Sequence, residues 1–322
     1  MDSLTHGLLG LAVGAVRRPD GDRAAVLVAC VLAAELPDLD YLWPAENSVL
    51  HSLQAHRGLS HALIAVPLVS LIAAAISKLF FRSAPLRTLF SWSLPSVGFA
   101  HLFADAWTGW GTRLLLPFSD ARVTLDWMMV VDPLFTLPLL LGVIVGLKQR
   151  SRFRRAVLFG AAVAGAYLLT RVIIRESVGA KVAARYPDAE SVQVFPSWFG
   201  PTEWRYVAVF GEHYAVGRVS TFAAPQQQAS HRRARSDTLS PLARSNDTVQ
   251  EALAWARFPI VAERPRLPTG TQLSIADLRY HLNGTPTLTF QIELDEHARV
   301  LSAVLDRGGS ARSLWERFRG WK

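Results

Sequence analysis

Long apolar runs crowd the first half of this chain: Leu4 to Val16, Ala24 to Trp43, His61 to Phe81, Leu89 to Trp110, Trp127 to Leu147 and Ala156 to Ile174. Most approach or reach the roughly 17 to 25 residues that a helix needs to cross a bilayer, whereas the first is short and reads as re-entrant or interfacial. Half of the residues are hydrophobic, only 19% are charged and mean hydropathy is +0.21, which is too apolar for an ordinary soluble protein. The sequence therefore predicts a mostly α, polytopic membrane domain over residues 1–185, with about five or six helices. A cleaved signal peptide is not expected, because Met1-Asp2-Ser3 carries no basic residue and no small-residue cleavage site follows.

From Tyr186 onward the composition changes. Segments such as "SVQVF", "WRYVAVF", "YAVGRVSTF" and "TLTFQIEL" are rich in Val, Phe, Tyr and Thr with turn residues between them, so residues 186–322 are expected to form a small β-rich soluble domain. Its stretch Ala223 to Thr248 is Gln-, Ser- and Arg-rich, which predicts a mobile polar loop near 223–248. The basic residues there lack aromatic interleaving, so a solvated loop is expected and nucleic acid is not. "ALAWARFPIV", Ala252 to Val261, is expected either to pack the tail on the membrane domain or to form part of a substrate lid. The single cysteine, Cys30, excludes a disulfide within the chain and a Cys-rich structural zinc site.

Lys and Arg sort by loop. Arg17, Arg18 and Arg23 follow the first run, Lys78, Arg82 and Arg87 the third, and Lys148, Arg150, Arg152, Arg154 and Arg155 the fifth. The opposite loops hold only Arg57, Arg113 and Arg122. Positive loops stay in the cytoplasm, so the sparse loops and the C-terminal domain are expected outside it. Arg171, Arg175, Lys181 and Arg185 run against this orientation.

His6, Asp38, Asp40, His56, His61, His101, Asp105, Asp126 and Asp132 all border the runs on that same outer side. Ionisable groups at a membrane are costly unless they pair or line a polar cavity, so several converging from different helices mark a site. In "FAHLFAD", His101 and Asp105 stand at i and i+4 on one helical face, able to reach a common ion. In "ELPDLDYLW" the proline ends or kinks the helix and turns Asp38 or Asp40 toward the site. In "AHRGLSHALI", Gly58 permits a tight turn, Ser60 is expected to cap a helix beginning at His61, and both His56 and His61 face the outer cavity.

Imidazoles mixed with carboxylates suit a divalent metal: zinc first, with manganese and ferrous iron as alternatives, as one or two ions. The expected ligands are His6, Asp38, His56, His61, His101 and Asp105. Taken alone, His6 is equally well read as an interfacial residue. Asp132, before Pro133, is equally well read as a helix cap, and His51, His213, His231, His281 and His297 are expected at the surface.

"LTHGLLG", "ELPDLDYL", "HRGLSHAL" and "HLFADAWTGWGTRLLLPF", in this order, resemble the motifs of the bacterial inner-membrane metal-dependent hydrolases called YdjM-like, over roughly residues 1–175. The resemblance implies a helical domain in the bacterial inner membrane and a hydrolase assignment, and by motif position it carries over His6, Asp38, Asp40, His56, His61, His101 and Asp105. A metal lowers the pKa of a bound water, and no G-x-S-x-G motif is visible, so a water nucleophile is expected. In the expected catalytic set, Asp40 or His56 serves as a second-ion ligand or proton shuttle, and Arg57 either clamps an anionic group such as phosphate or anchors a lipid headgroup. The expected partners are membrane lipids and an amphiphilic or lipid-linked substrate. An ion- or proton-coupled transporter and a non-catalytic scaffold with a structural metal are the alternatives.

Overall fold

The structure is a computed structural model that describes residues 1–17, 21–44, 47–197, 200–234, 239–265 and 270–306. Arg18 and the part of the expected polar loop at 235–238 lie outside the described residues. The chain divides into a helical unit, Met1–Trp43 with His56–Ile174, and a β-rich unit made of Pro44–Ala55 with the chain from Arg175 on. The short segment Pro44–Ala55 thus leaves the helical unit between two of the motifs singled out above.

In the helical unit, α1 (Ser3–Val16) and α2 (Arg23–Glu35) pack along a seam of small residues. A Cβ on Gly10 would stand 2.6 Å from the Cys30 carbonyl oxygen and 2.8 Å from Ala34 Cβ, so the two backbones touch only because residue 10 has no side chain. Pro37 follows, and the chain tightens into a 3-10 segment, Leu36–Leu42. In the β-rich unit's inserted segment, α3 (Ser48–Leu50) and the wide turn His51–Ala55 bury Val49 and Leu53.

The chain next makes two short 3-10 turns, Leu59–His61 and Leu63–Ala65, before α4 (Val66–Phe80). The expected helix start at His61 is therefore corrected. Pro67 in the first turn of α4 disfavours helix in the residues before it, and Leu63 N donates to Leu114 O instead. α5 (Leu86–Pro95) continues into a wide, π-type stretch, Ser96–Phe103, and a last turn, α6 (Ala104–Ala106).

The next helix also starts later than its apolar run. Asp132 accepts from Leu134 N and Phe135 N, which places the start of α7 (Pro133–Lys148) at Pro133 rather than near Trp127. α8 spans Phe153–Arg185.

Two helical segments are long and apolar enough to cross a membrane, Leu63–Phe80 and Arg150–Arg185, while Ser3–Val16 and Pro133–Lys148 are apolar but shorter. Only 22% of the apolar window in each long segment is buried, whereas the core helix of a soluble protein would be mostly covered. Leu68, Leu71 and Phe80 on α4, Leu137 and Leu141 on α7, and Phe159 and Ile173 on α8 are exposed.

The β-rich unit holds two four-stranded antiparallel sheets. The first runs in order through β1 (Ser191–Pro196), β2 (Glu203–Val209), β3 (His213–Ser220) and β4 (Gln226–Arg232). The expected polar loop thus contributes an edge strand, and it also supplies α9 (Pro241–Arg244) and the start of α10 (Asp247–Trp255). Polar side chains suit β4 because its neighbour β3 provides the backbone ladder while one edge faces water.

The second sheet contains β5 (Pro259–Pro265), β6 (Thr271–Asp277), β9 (Thr289–Leu294) and β10 (Val300–Asp306), in the order β10-β9-β6-β5. Between β6 and β9, the small hairpin of β7 (His281–Leu282) and β8 (Thr285–Pro286) turns on Asn283-Gly284, both at positive φ as a two-residue turn requires. Phe195, Val207, Tyr214, Val216, Phe258 and Leu278 form this unit's core. The segment Ala252 to Val261 belongs to that unit, with Ala252, Trp255 and Phe258 buried. His281, expected at the surface, is fully buried, and that burial, with Arg205 nearby, pushes its imidazole down to about 3.

Candidate metal centre

Three histidines of the helical unit are oriented in the same way. Asp2 caps α1 by accepting from Thr5 N at 3.0 Å, and the first turn so fixed carries His6, whose Nδ1 reaches Ala100 O at 2.8 Å. His101 Nδ1 reaches Ala34 O at 2.5 Å, and His61 Nδ1 reaches Asp40 Oδ2 at 3.0 Å. Carbonyl and carboxylate oxygens only accept, so each Nδ1 carries a proton and each ring, when neutral, presents an Nε2 lone pair.

These lone pairs converge. His61 Nε2 and His101 Nε2 stand 3.0 Å apart, and the lone pairs of two neutral rings at that distance repel unless a proton or a metal cation lies between them. Asp38 Oδ1 is 3.4 Å from His61 Nε2 and 3.6 Å from His101 Nε2. Asp105 Oδ2 is 3.5 Å from His61 Nε2 and 4.0 Å from His101 Nε2. The four residues each offer a donor atom within 4.8 Å of all the others. Donors about 2.1 Å from a tetrahedral ion stand roughly 3.4 Å from one another, which is the middle of the observed range.

Asp105 Oδ2 is buried without a hydrogen-bond partner among the described residues, although it lies within 4.0 Å of two imidazole nitrogens. The donor set is nitrogen and oxygen with no thiolate. These residues fit a divalent cation, and the structure identifies no particular metal.

The remaining expected residues surround this group. His6 stacks on His101 with ring centroids 4.1 Å apart, and its Nε2 lies 3.3 Å from the other Asp105 oxygen, Oδ1. Asp40 lies behind His61, where it accepts from His56 Nδ1 at 2.9 Å, from Arg57 N at 3.0 Å and from Ser60 Oγ at 2.5 Å as well as from His61. Ser60 is thus a partner of Asp40 rather than the cap of a helix. Arg57 is buried, with NH2 donating to Asp105 Oδ1 at 2.9 Å, and the Met1 amino group lies against the same oxygen. Asp132 caps α7 and accepts from the Tyr167 hydroxyl at 3.0 Å, and neither it nor Asp126 falls in the four-residue group.

Two neighbours escaped the sequence reading. Glu35, in the same motif as Asp38, lies against α1, where a Cβ on Gly7 would stand 2.9 Å from its Oε1. Its place beside Asp38 on one apolar run was the available signal. Thr108, which accepts from Arg57 NH1 at 3.5 Å, carried no signal in the sequence beyond its motif.

The chain is similar to two curated proteins and to one family of membrane proteins. Uncharacterized protein YfhP of Bacillus subtilis (strain 168) is 28% identical over 226 residues, 68% of this chain and 68% of its own length. Inner membrane protein YbcI of Escherichia coli (strain K12) is 28% identical over 130 residues, 39% of this chain and 73% of its own length. No solved structure matches the chain. The family described as YdjM inner membrane protein matches residues 1–178, a stretch that holds every residue of the centre, and the chain belongs to that family.

Proposed function

We propose that this protein is a multi-pass inner-membrane hydrolase that depends on one divalent metal ion, zinc above all, and attacks a lipid or lipid-linked phosphoester with water. The observation that carries this reading is the facing pair of Nε2 lone pairs between two carboxylates. Asp38, His61, His101 and Asp105 would hold the ion. A divalent ion there would lower the pKa of a bound water toward neutrality and polarise a phosphoryl oxygen.

The chain's own residues supply the rest. Asp40 positions His61, and it also orients His56, whose partly exposed ring is placed to carry a proton between the site and solvent. Arg57 at Asp105 Oδ1 leaves a second cation there disfavoured by like charge, which supports one ion rather than two. Asp38 remains 20% exposed, which supports an open site over a closed structural one. Leu39, Leu42 and Trp43, on the segment that carries Asp38, are exposed and offer an apolar approach for acyl chains. The charge of the loops supports a C-terminal unit outside the cytoplasm.

Metal content by mass spectrometry on detergent-purified protein tests the centre, with wild type beside the His101→Ala, Asp105→Ala double variant. About one ion per chain is expected in wild type and none in the variant. The loaded protein is then expected to release phosphate or a phosphorylated headgroup from a panel of phospholipids. Folded wild type without metal would overturn the reading, and a full complement of metal without any hydrolysis would favour the scaffold.

A further inference from the structure

Arg57 sits where a long side chain is unwelcome. Its φ is +61°, in the left-handed region that disfavours residues with a Cβ. The strain is held by one carboxylate, since Asp40 takes the Arg57 amide together with His56 and Ser60 from either side of it. The outcome is a guanidinium turned inward, with the residue only 3% exposed. An arginine that anchors lipid headgroups extends its charge to the interface, so this burial sets that reading aside.

The buried guanidinium is under-used. NH2 donates to Asp105 Oδ1, NH1 makes a long contact with Thr108 Oγ1, and Nε has no hydrogen-bond partner among the described residues. A guanidinium carries five N–H donors in a fixed fork, and leaving one buried and unbonded is costly. Its partner Asp105 is also one of the four residues of the cation cluster, so the fork lies one carboxylate away from that centre. With a divalent ion in place, the ion, Arg57 and the Met1 amino group formally carry four positive charges against three on Asp38, Asp40 and Asp105, so one positive charge is left over. A neutral ester or amide carbonyl can accept a hydrogen bond but cannot balance that charge. An oxyanion with several equivalent oxygens answers both the surplus charge and the free donor.

We propose that Arg57 forms an oxyanion subsite beside the cation cluster, which makes the site selective for a phosphate-bearing ligand over a neutral ester or amide. The proposal rests on the reading of the cluster as a cation centre, and it deepens that reading by naming the side chain that selects the phosphate.

Calorimetric titration of detergent-purified, zinc-loaded protein with inorganic phosphate tests it, with metal content measured on the same samples. Wild type is expected to bind phosphate. Arg57→Gln is expected to weaken that binding about tenfold or more while keeping its metal, and Arg57→Lys, which keeps the charge and loses the fork, is expected to fall between the two. Phosphate affinity unchanged in Arg57→Gln would overturn the proposal, as would a wild type that binds no phosphate. Should Arg57→Gln not fold, Arg57→Lys with unaltered affinity overturns it instead. Dihexanoyl phosphatidate, run beside the neutral diacylglycerol, separates the ligand's sources: tighter binding than inorganic phosphate identifies a lipid phosphate, and equal binding a free one. A wild type without metal would defeat the hydrolase reading and this proposal together, whereas a metal-loaded wild type whose phosphate affinity is unchanged in Arg57→Gln would defeat this proposal alone.

Discussion

At the scale of single residues, the orientation of the imidazoles decides the chemistry, and Asp40 controls the largest share of it. Its two oxygens take His56, His61, Ser60 and the Arg57 amide, so replacing it disturbs a candidate ligand rather than removing one. Asp40→Asn is expected to weaken metal binding by roughly tenfold to a hundredfold, with Asp40→Glu restoring part of the loss. The visible spectrum of the cobalt-loaded protein reads the environment of the ion directly. A shifted band in Asp40→Asn separates a positioning role from general destabilisation, and an unshifted band with wild-type affinity would sink it. The sequence made much of this centre legible. The i, i+4 spacing of His101 and Asp105 survives even though the chain there is wider than an α-helix. Which of Asp38 and Asp40 enters the four-residue group was not legible, because that depends on the 3-10 geometry that sets two residues apart by about 240°. Likewise, nothing in the letters around His281 reveals that it is buried beside Arg205, since burial in a β-rich unit depends on strand pairings far away in the sequence.

At the scale of elements, the apolar runs located the helices but not their ends. Starts were set by chemistry that periodicity does not carry, such as Pro67 for α4 and the Asp132 cap for α7. The edge strand β4 was hidden because its sequence, "QQQASHR", looks like a solvated linker, and only the ladder offered by β3 makes it a strand. Helix contacts were equally invisible until glycines could be seen facing one another. In α7 and α8, a Cβ on Gly142 would stand 2.7 Å from the Ala156 carbonyl oxygen, and one on Gly160 would strike the Pro138 carbonyl. Small residues of this kind let helices approach where lipid supplies no hydrophobic drive. Gly160→Leu is therefore expected to cost about 1–3 kcal/mol or more and to lower the thermal midpoint in detergent, while Gly165→Leu, where nothing lies within 4 Å, is expected to be close to neutral. Equal midpoints for the two variants would contradict this packing.

At the scale of the whole molecule, the expected order of a helical region followed by a β-rich one holds, with the added finding that Pro44–Ala55 joins the second unit. Two helical segments are long enough to span a membrane, and the remaining apolar helices are shorter. The number of crossings and the side occupied by the β-rich unit, proposed above from the charge of the loops, can be read by labelling. Cys30 is buried and is the chain's single cysteine, so Cys30→Ala gives a clean background. In intact cells, a membrane-impermeant maleimide is expected to modify Ser245→Cys in the β-rich unit and to reach Ser151→Cys, between α7 and α8, only after permeabilisation. The reverse pattern would invert the topology and place the β-rich unit in the cytoplasm.

The bonds that orient His6 and His101 are made to Ala100 and Ala34, which lie on the π-type stretch and on α2. Backbone carbonyls cannot be mutated away, so these two anchors survive any change of side chain at those positions as long as the helices keep their places. Heredity is thereby constrained unevenly: the ring of each histidine is open to substitution, but the socket that orients it can be lost only by repacking the helices around it. A chain that lost either histidine would keep the cradle for as long as the helices stay packed, with the carbonyl oxygen still facing the place the ring had filled.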